Sequence, residues 1–138
     1  MTTRAKDASR SEGLRVLGLD PYCRLVTFRR NGTPVGVPVW QAVDGDRIYV
    51  FTESKSWKVK RLARDERIEV TTCDWRGTTD GNPTWKGKGR VVSDPDTVRR
   101  ANAALDRKYG WQKWGVDLMS RLSGRYHQRA MLEIVLED

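Results

Sequence analysis

Between residues 49 and 67 the chain reads YVFTESKSWKVKRLARDER, an alternating run that passes into helical spacing. Over residues 53–64 five cations (Lys55, Lys58, Lys60, Arg61 and Arg64) accompany one acid, Glu53. Thr52, Ser54 and Ser56 place hydroxyls at the junction, and the helix predicted from Ser56 to residue 64 would begin there. A helix start offers unpaired backbone N–H groups and the positive end of the helix dipole. Hydroxyls, ammonium groups and a helix start at one point make an anion-binding site, suited to phosphate or carboxylate. The same composition also describes a capped, solvated basic surface helix, and the residues alone do not separate the two.

Other candidate chemistries find little support. His127 is the single histidine, so multi-histidine metal sites are excluded, and it reads as a surface or interface side chain. Asp74 and Asp80 fall in a loop without the pairing that carboxylate catalysis needs. The run Lys86-Gly87-Lys88-Gly89-Arg90 lacks the spacing of a phosphate loop and reads as a strand. Its two glycines would admit a close neighbour, either a cofactor or a second subunit. Cys23 and Cys73 have no metal-ligand spacing and read as reduced thiols.

The elements that must position the anion site follow from periodicity. Residues 14–19 suggest a short helix, stopped by Asp20-Pro21. Period-two alternation from Cys23 predicts a strand, and Asn31-Gly32 is a strong hairpin signal. The Val-rich return over 35–43 contains Pro38, which marks an edge or a bulge. Asp44-Gly45-Asp46 makes a turn into a third strand over 48–52, so the first half reads as an antiparallel meander. Strands are predicted at 68–73, 84–92 and 130–136, with an extended loop over 74–83. Asp94-Pro95 starts a helix whose stripe is Val98, Ala101, Leu105 and Tyr109, broken at Gly110. A second stripe, Trp111, Trp114, Leu118 and Leu122, reads as core or dimer interface. The sum is a mainly β fold with short helices, six antiparallel strands closing into a barrel. Residues 1–12 form a flexible terminus and 13–138 one domain.

The runs GTPVGVPVW (32–40) and DGDRIYVFTESKSWKVKRLARDERIEVTTCD (44–74) resemble the F420-dependent members of the pyridoxamine 5'-phosphate oxidase-like, FMN-binding split β-barrel superfamily, the flavin/deazaflavin oxidoreductases of group B. The resemblance spans residues 23–109. It implies that Lys58 holds the cofactor phosphate, with Lys55, Ser56 and Trp57 in the same loop. It implies that Phe51 and Thr52 pass beneath the ring system, and that Val37, Pro38, Val39 and Trp40 present backbone groups to the ring edge. Where the flavin-phosphate oxidases carry an Arg-Lys pair, this chain has Trp57-Lys58. Lys55 and Arg61 can restore that charge, and they suit a cofactor with an added acidic tail. The implied activity is hydride transfer between coenzyme F420 and a small unsaturated substrate, in a homodimer whose second subunit completes the pocket. No catalytic side chain is expected, because the cofactor carries the chemistry. An FMN-dependent oxidase and a non-catalytic flavin- or heme-binding protein are the alternatives on the same site.

Composition bounds these readings. The 138 residues, 38% hydrophobic, suffice for one core, and six tryptophans imply that some indoles are buried and others line a pocket or interface. The net charge of +8 attracts polyanions, which makes a basic nucleic-acid-binding barrel the rival of a different class. Against it, the cations (Arg29-Arg30 and Arg99-Arg100 among them) are spread through every segment, and no nucleic-acid recognition motif is present. With no apolar run at the N-terminus and none of membrane-spanning length, the expectation is a cytoplasmic protein without a membrane partner.

Overall fold

The computed structural model describes residues 10–53, 56–74, 76–79, 81–110 and 129–137. The second tryptophan stripe and His127 lie outside these residues, as does Lys55. The elements are α1 (Arg10–Leu19), β1 (Cys23–Phe28), β2 (Pro34–Val39), β3 (Gln41–Asp44), β4 (Arg47–Glu53), α2 (Trp57–Arg64), β5 (Arg67–Thr72), β6 (Thr84–Val92), α3 (Pro95–Tyr109) and β7 (Arg129–Leu136).

All seven strands join one antiparallel sheet in the order β2-β1-β5-β6-β7-β4-β3. The two edge strands, β2 and β3, are consecutive in sequence and separated only by Trp40. The sheet therefore curls until its edges meet at that residue, which gives the half-barrel of a split barrel. The strand expected over 35–43 is thus two strands at opposite edges, which makes seven strands where six were expected. The meander is two hairpins joined at Trp40, not three neighbouring strands. Pro38 sits where its missing N–H does least harm, on the edge strand β2, exposed and in register with Arg24.

The turns behave as their residues require. In the β1–β2 turn Gly32 takes φ 88°, and the Asn31 side chain accepts from the Thr33 N–H at 3.0 Å. Asp94 caps α3 through the Thr97 N–H and hydroxyl (3.0 and 2.6 Å), with Pro95 at the first position. Gly110 ends the helix with φ 55°.

Strand alternation divides the core. Ile48, Val50, Leu132, Ile134 and Leu136 face one cluster with Leu25, Val70 and Trp85. Their neighbours Tyr49 and Met131 face a second cluster beneath α3, with Ala101, Ala104, Leu105 and Tyr109. β4 and β7 are thus buried on both faces. The glycines of β6 serve this packing. A Cβ on Gly89 would touch Ile68 and Leu62, and one on Gly87 would run into the Val135 carbonyl of β7. The close neighbours at these glycines include the chain's own α2, β5 and β7.

Polar ties fix the ends of the layers. The Gln41 amide donates to the Leu17 and Asp20 carbonyls, both at 2.9 Å. The Lys108 ammonium donates to Leu17 O (2.8 Å) and Gln41 O (2.7 Å), supplying the cation that the last turn of α1 lacks. Burial lowers the Lys108 ammonium to about 8.

Both cysteines are free. Burial, with Cys73 adding to it and Lys108 opposing it, pushes the Cys23 thiol from its ordinary 9.0 up to about 12. A raised acid favours the folded state fully below pH 9 and loses that contribution as pH climbs toward 12. At pH 8 a disulfide reagent should consume Cys73 slowly and leave Cys23 untouched, and both should react in denaturant. Prompt reaction of both thiols in the folded protein would contradict this burial.

Candidate functional site

β4 leads into the site. Phe51 and Thr52 are half-buried near its end, and the chain then enters α2. Ser56 takes an extended conformation, and its hydroxyl accepts from the Val59 N–H at 3.4 Å, which starts the helix. No acid stands in the first turn, while Arg61 and Arg64 occupy the last.

On α2, Trp57, Lys60, Arg61 and Arg64 recur at i, i+3, i+4 and i+7 and share one face. Together with Arg29 and Arg30 of the β1–β2 turn they line a groove of about 490 Å³. None of these lining residues is acidic. Two of the cations are held in place from below: Arg64 donates to the Phe28 carbonyl at 3.0 Å, and Arg61 reaches Thr27 Oγ1 at 3.5 Å. Trp57 is 67% exposed, with the Lys60 ammonium 4.4 Å from its ring centroid. Asp65, next along the chain, is committed to Arg67 through contacts of 3.0 and 2.7 Å, which hold its carboxyl down at about 2. The acid nearest in sequence is therefore not free to neutralise the groove.

Lys58 is half-buried and lies off the groove face, one step around α2 toward the stripe that carries the buried Leu62. Val37 and Val39 are half-buried in β2, where they pair with Leu25 and Cys23. Trp40 stacks on Tyr109 (centroids 4.6 Å, planes 10° apart) and meets Phe51 edge-on at 6.2 Å.

Phe51 also walls a second cavity of about 420 Å³ between β4, β6, β7 and α3. Its other walls include Val92, Val98 and Met131, with Ser93 and Asn102 as polar members. The structure thus separates the expected residues. Trp57 and Arg61 line the cationic groove, Phe51 lines the apolar cavity, and Trp40 packs behind Phe51. Val37, Pro38, Val39, Thr52, Ser56 and Lys58 line neither. Arg29, Arg30, Lys60 and Arg64 join Trp57 and Arg61 only through folding. The Arg29-Arg30 doublet was visible in sequence, but nothing there brought it beside residue 57.

A curled antiparallel sheet whose two edges meet at Trp40 defines the split-barrel class. Residues 13–137 match the family model described as pyridoxamine 5'-phosphate oxidase, and the chain belongs to that family. Solved structures agree on the fold. A conserved hypothetical protein of Mycobacterium tuberculosis superposes with TM-score 0.65 at 22% identity, covering all of this chain and 82% of that one. An F420 reductase gives 0.58 at 19%, covering 92% and 95%. A heme storage protein of Vibrio cholerae gives 0.67 at 11%, covering 93% and 89%. No curated protein matches the chain by sequence. Among the described residues no helix is long and apolar enough to cross a membrane, and no group of histidine, cysteine and acids could hold a metal.

Proposed function

We propose that this chain is a cytoplasmic F420-dependent reductase, acting as a homodimer, that transfers a hydride between the deazaflavin and a small unsaturated molecule. FMN is the alternative cofactor. The observation that carries the reading is the groove lined by Arg29, Arg30, Lys60, Arg61 and Arg64, with no acid among its described lining residues. It fits a cofactor that bears a phosphate and an acidic tail better than one that bears a single phosphate. The position of the missing arginine is filled by Trp57, and the charge returns one and two turns later in Arg61 and Arg64.

When bound, the cofactor supplies the hydride chemistry, and the chain supplies binding and orientation. Lys58, Lys55 and Ser56 would hold the phosphate, and Arg61 with its groove neighbours the tail. Backbone groups of residues 37–40 and the strand end Phe51-Thr52 would orient the ring. Phe51, held edge-on by a Trp40 that itself stacks on Tyr109, would keep one wall fixed.

Titration of the apo-protein with F420 and separately with FMN tests this, followed by cofactor fluorescence. Micromolar or tighter F420 binding, with weaker FMN binding, is the expected result. The affinity should fall only shallowly with salt, since a few contacts release few counterions. The reverse preference would make the protein a flavin enzyme. Binding of neither, with steep salt-dependent binding of single-stranded nucleic acid, would overturn the reading.

A further inference from the structure

The cavity beside Phe51 differs in kind from the cationic groove. None of its described lining residues is charged. Most of its wall is apolar, and Val91 at its rim is 40% exposed, high for a valine. Within this wall stand Ser93 and Asn102. Asn102 lies one helical turn after Val98, so both side chains face the same way from α3. Asn102 is half-buried and Ser93 exposed, and neither side chain has a hydrogen bond to a described residue. An asparagine in a helix interior is unfavourable relative to alanine, and here its amide stands at an apolar wall. Ligand pockets have this composition: apolar walls for affinity, with a few polar groups that fix orientation.

We infer that this cavity is the substrate pocket, that it takes a neutral, flat, largely apolar molecule bearing one hydrogen-bond-accepting group such as a ketone, and that the Asn102 amide, with Ser93 at the rim, orients that group. The name "substrate" rests on the reductase reading, but the binding preference does not. An anionic ligand is disfavoured, because a charge placed here would lose its hydration with no cation among the described residues of the wall.

Three naphthalenes of matched shape test this by equilibrium dialysis against the cofactor-free full chain: 2-acetylnaphthalene, 2-ethylnaphthalene and 2-naphthoate. The ketone should bind tightest, the hydrocarbon several-fold weaker, and the carboxylate weakest. Asn102→Leu should reduce the preference for ketone over hydrocarbon about 5- to 10-fold, the worth of one net hydrogen bond. Hydrocarbon binding and the circular dichroism of the variant should be unchanged. The comparison is made in the Arg61→Ala background, so that the cationic groove does not hold the carboxylate. An unaltered ketone preference in Asn102→Leu, carboxylate binding equal to the ketone, or binding of none of the three would overturn the inference. F420 titration of the wild-type chain keeps the outcomes apart, since the cofactor reading can fail while the ketone preference stands, and the reverse.

Discussion

Lys58→Ala should weaken F420 binding about 10- to 150-fold, which is the roughly 1.5–3 kcal/mol carried by a charge-assisted hydrogen bond. Helix α2 should still form in the variant, because its start depends on Ser56. The measurement is a fluorescence titration of wild type and variant at one salt concentration. Arg61→Ala, measured alongside, locates the phosphate. A loss in Lys58→Ala exceeding that in Arg61→Ala puts the phosphate at the first turn of α2 and only the tail in the groove. An unchanged Lys58→Ala with a large loss in Arg61→Ala would move the phosphate into the groove and remove Lys58 from the site.

The second large effect concerns stability, at Glu133. Its side chain is 8% exposed in β7, where it lies opposite Tyr49 of β4 on one side and Arg90 of β6 on the other. Arg90 donates to it twice, at 2.9 and 2.7 Å, and the Tyr49 hydroxyl donates at 3.0 Å. Burial first, and the Glu133 carboxylate second, raise the Tyr49 phenol above its ordinary value. Glu133→Ala strands a buried hydroxyl and removes the partner of Arg90. Breaking such a buried pair costs about 3–5 kcal/mol. The Arg90 side chain is 63% exposed and can rehydrate, so about 2–4 kcal/mol is expected. Glu133→Gln keeps an acceptor for Tyr49 and should lose roughly half as much. Urea unfolding of the three proteins checks this, and a Glu133→Ala loss under 1 kcal/mol would show that the cross-strand network adds no stability.

Much of the fold was legible in the sequence. Alternation from Cys23, the Asn31-Gly32 turn, the Asp94-Pro95 helix start and the Val98-Ala101-Leu105-Tyr109 stripe each appear as the structure has them. These signals are local: a turn needs φ > 0 at a given residue, and a helix needs a cap three residues before the N–H it satisfies. The cationic character of α2 was equally plain, since five charges in twelve positions do not depend on context. The family resemblance came from the same stretch of chain.

Tertiary structure decided the rest. The run over 35–43 carries no mark of its division at Trp40, because that break follows from sheet closure and not from the residue itself. Which strands pair with which depends on curvature summed over seven strands, and this brought Arg29 and Arg30 to the face of α2 that carries Trp57 and Arg61. The apolar cavity was invisible in sequence for the same reason: Phe51, Val92, Asn102 and Met131 come from four separate elements. Asn102 could have been marked as a polar residue beside an apolar helical stripe, but its meaning depends on the walls around it. Periodicity and capping are written in neighbouring residues, whereas a groove or a pocket exists only where distant segments converge.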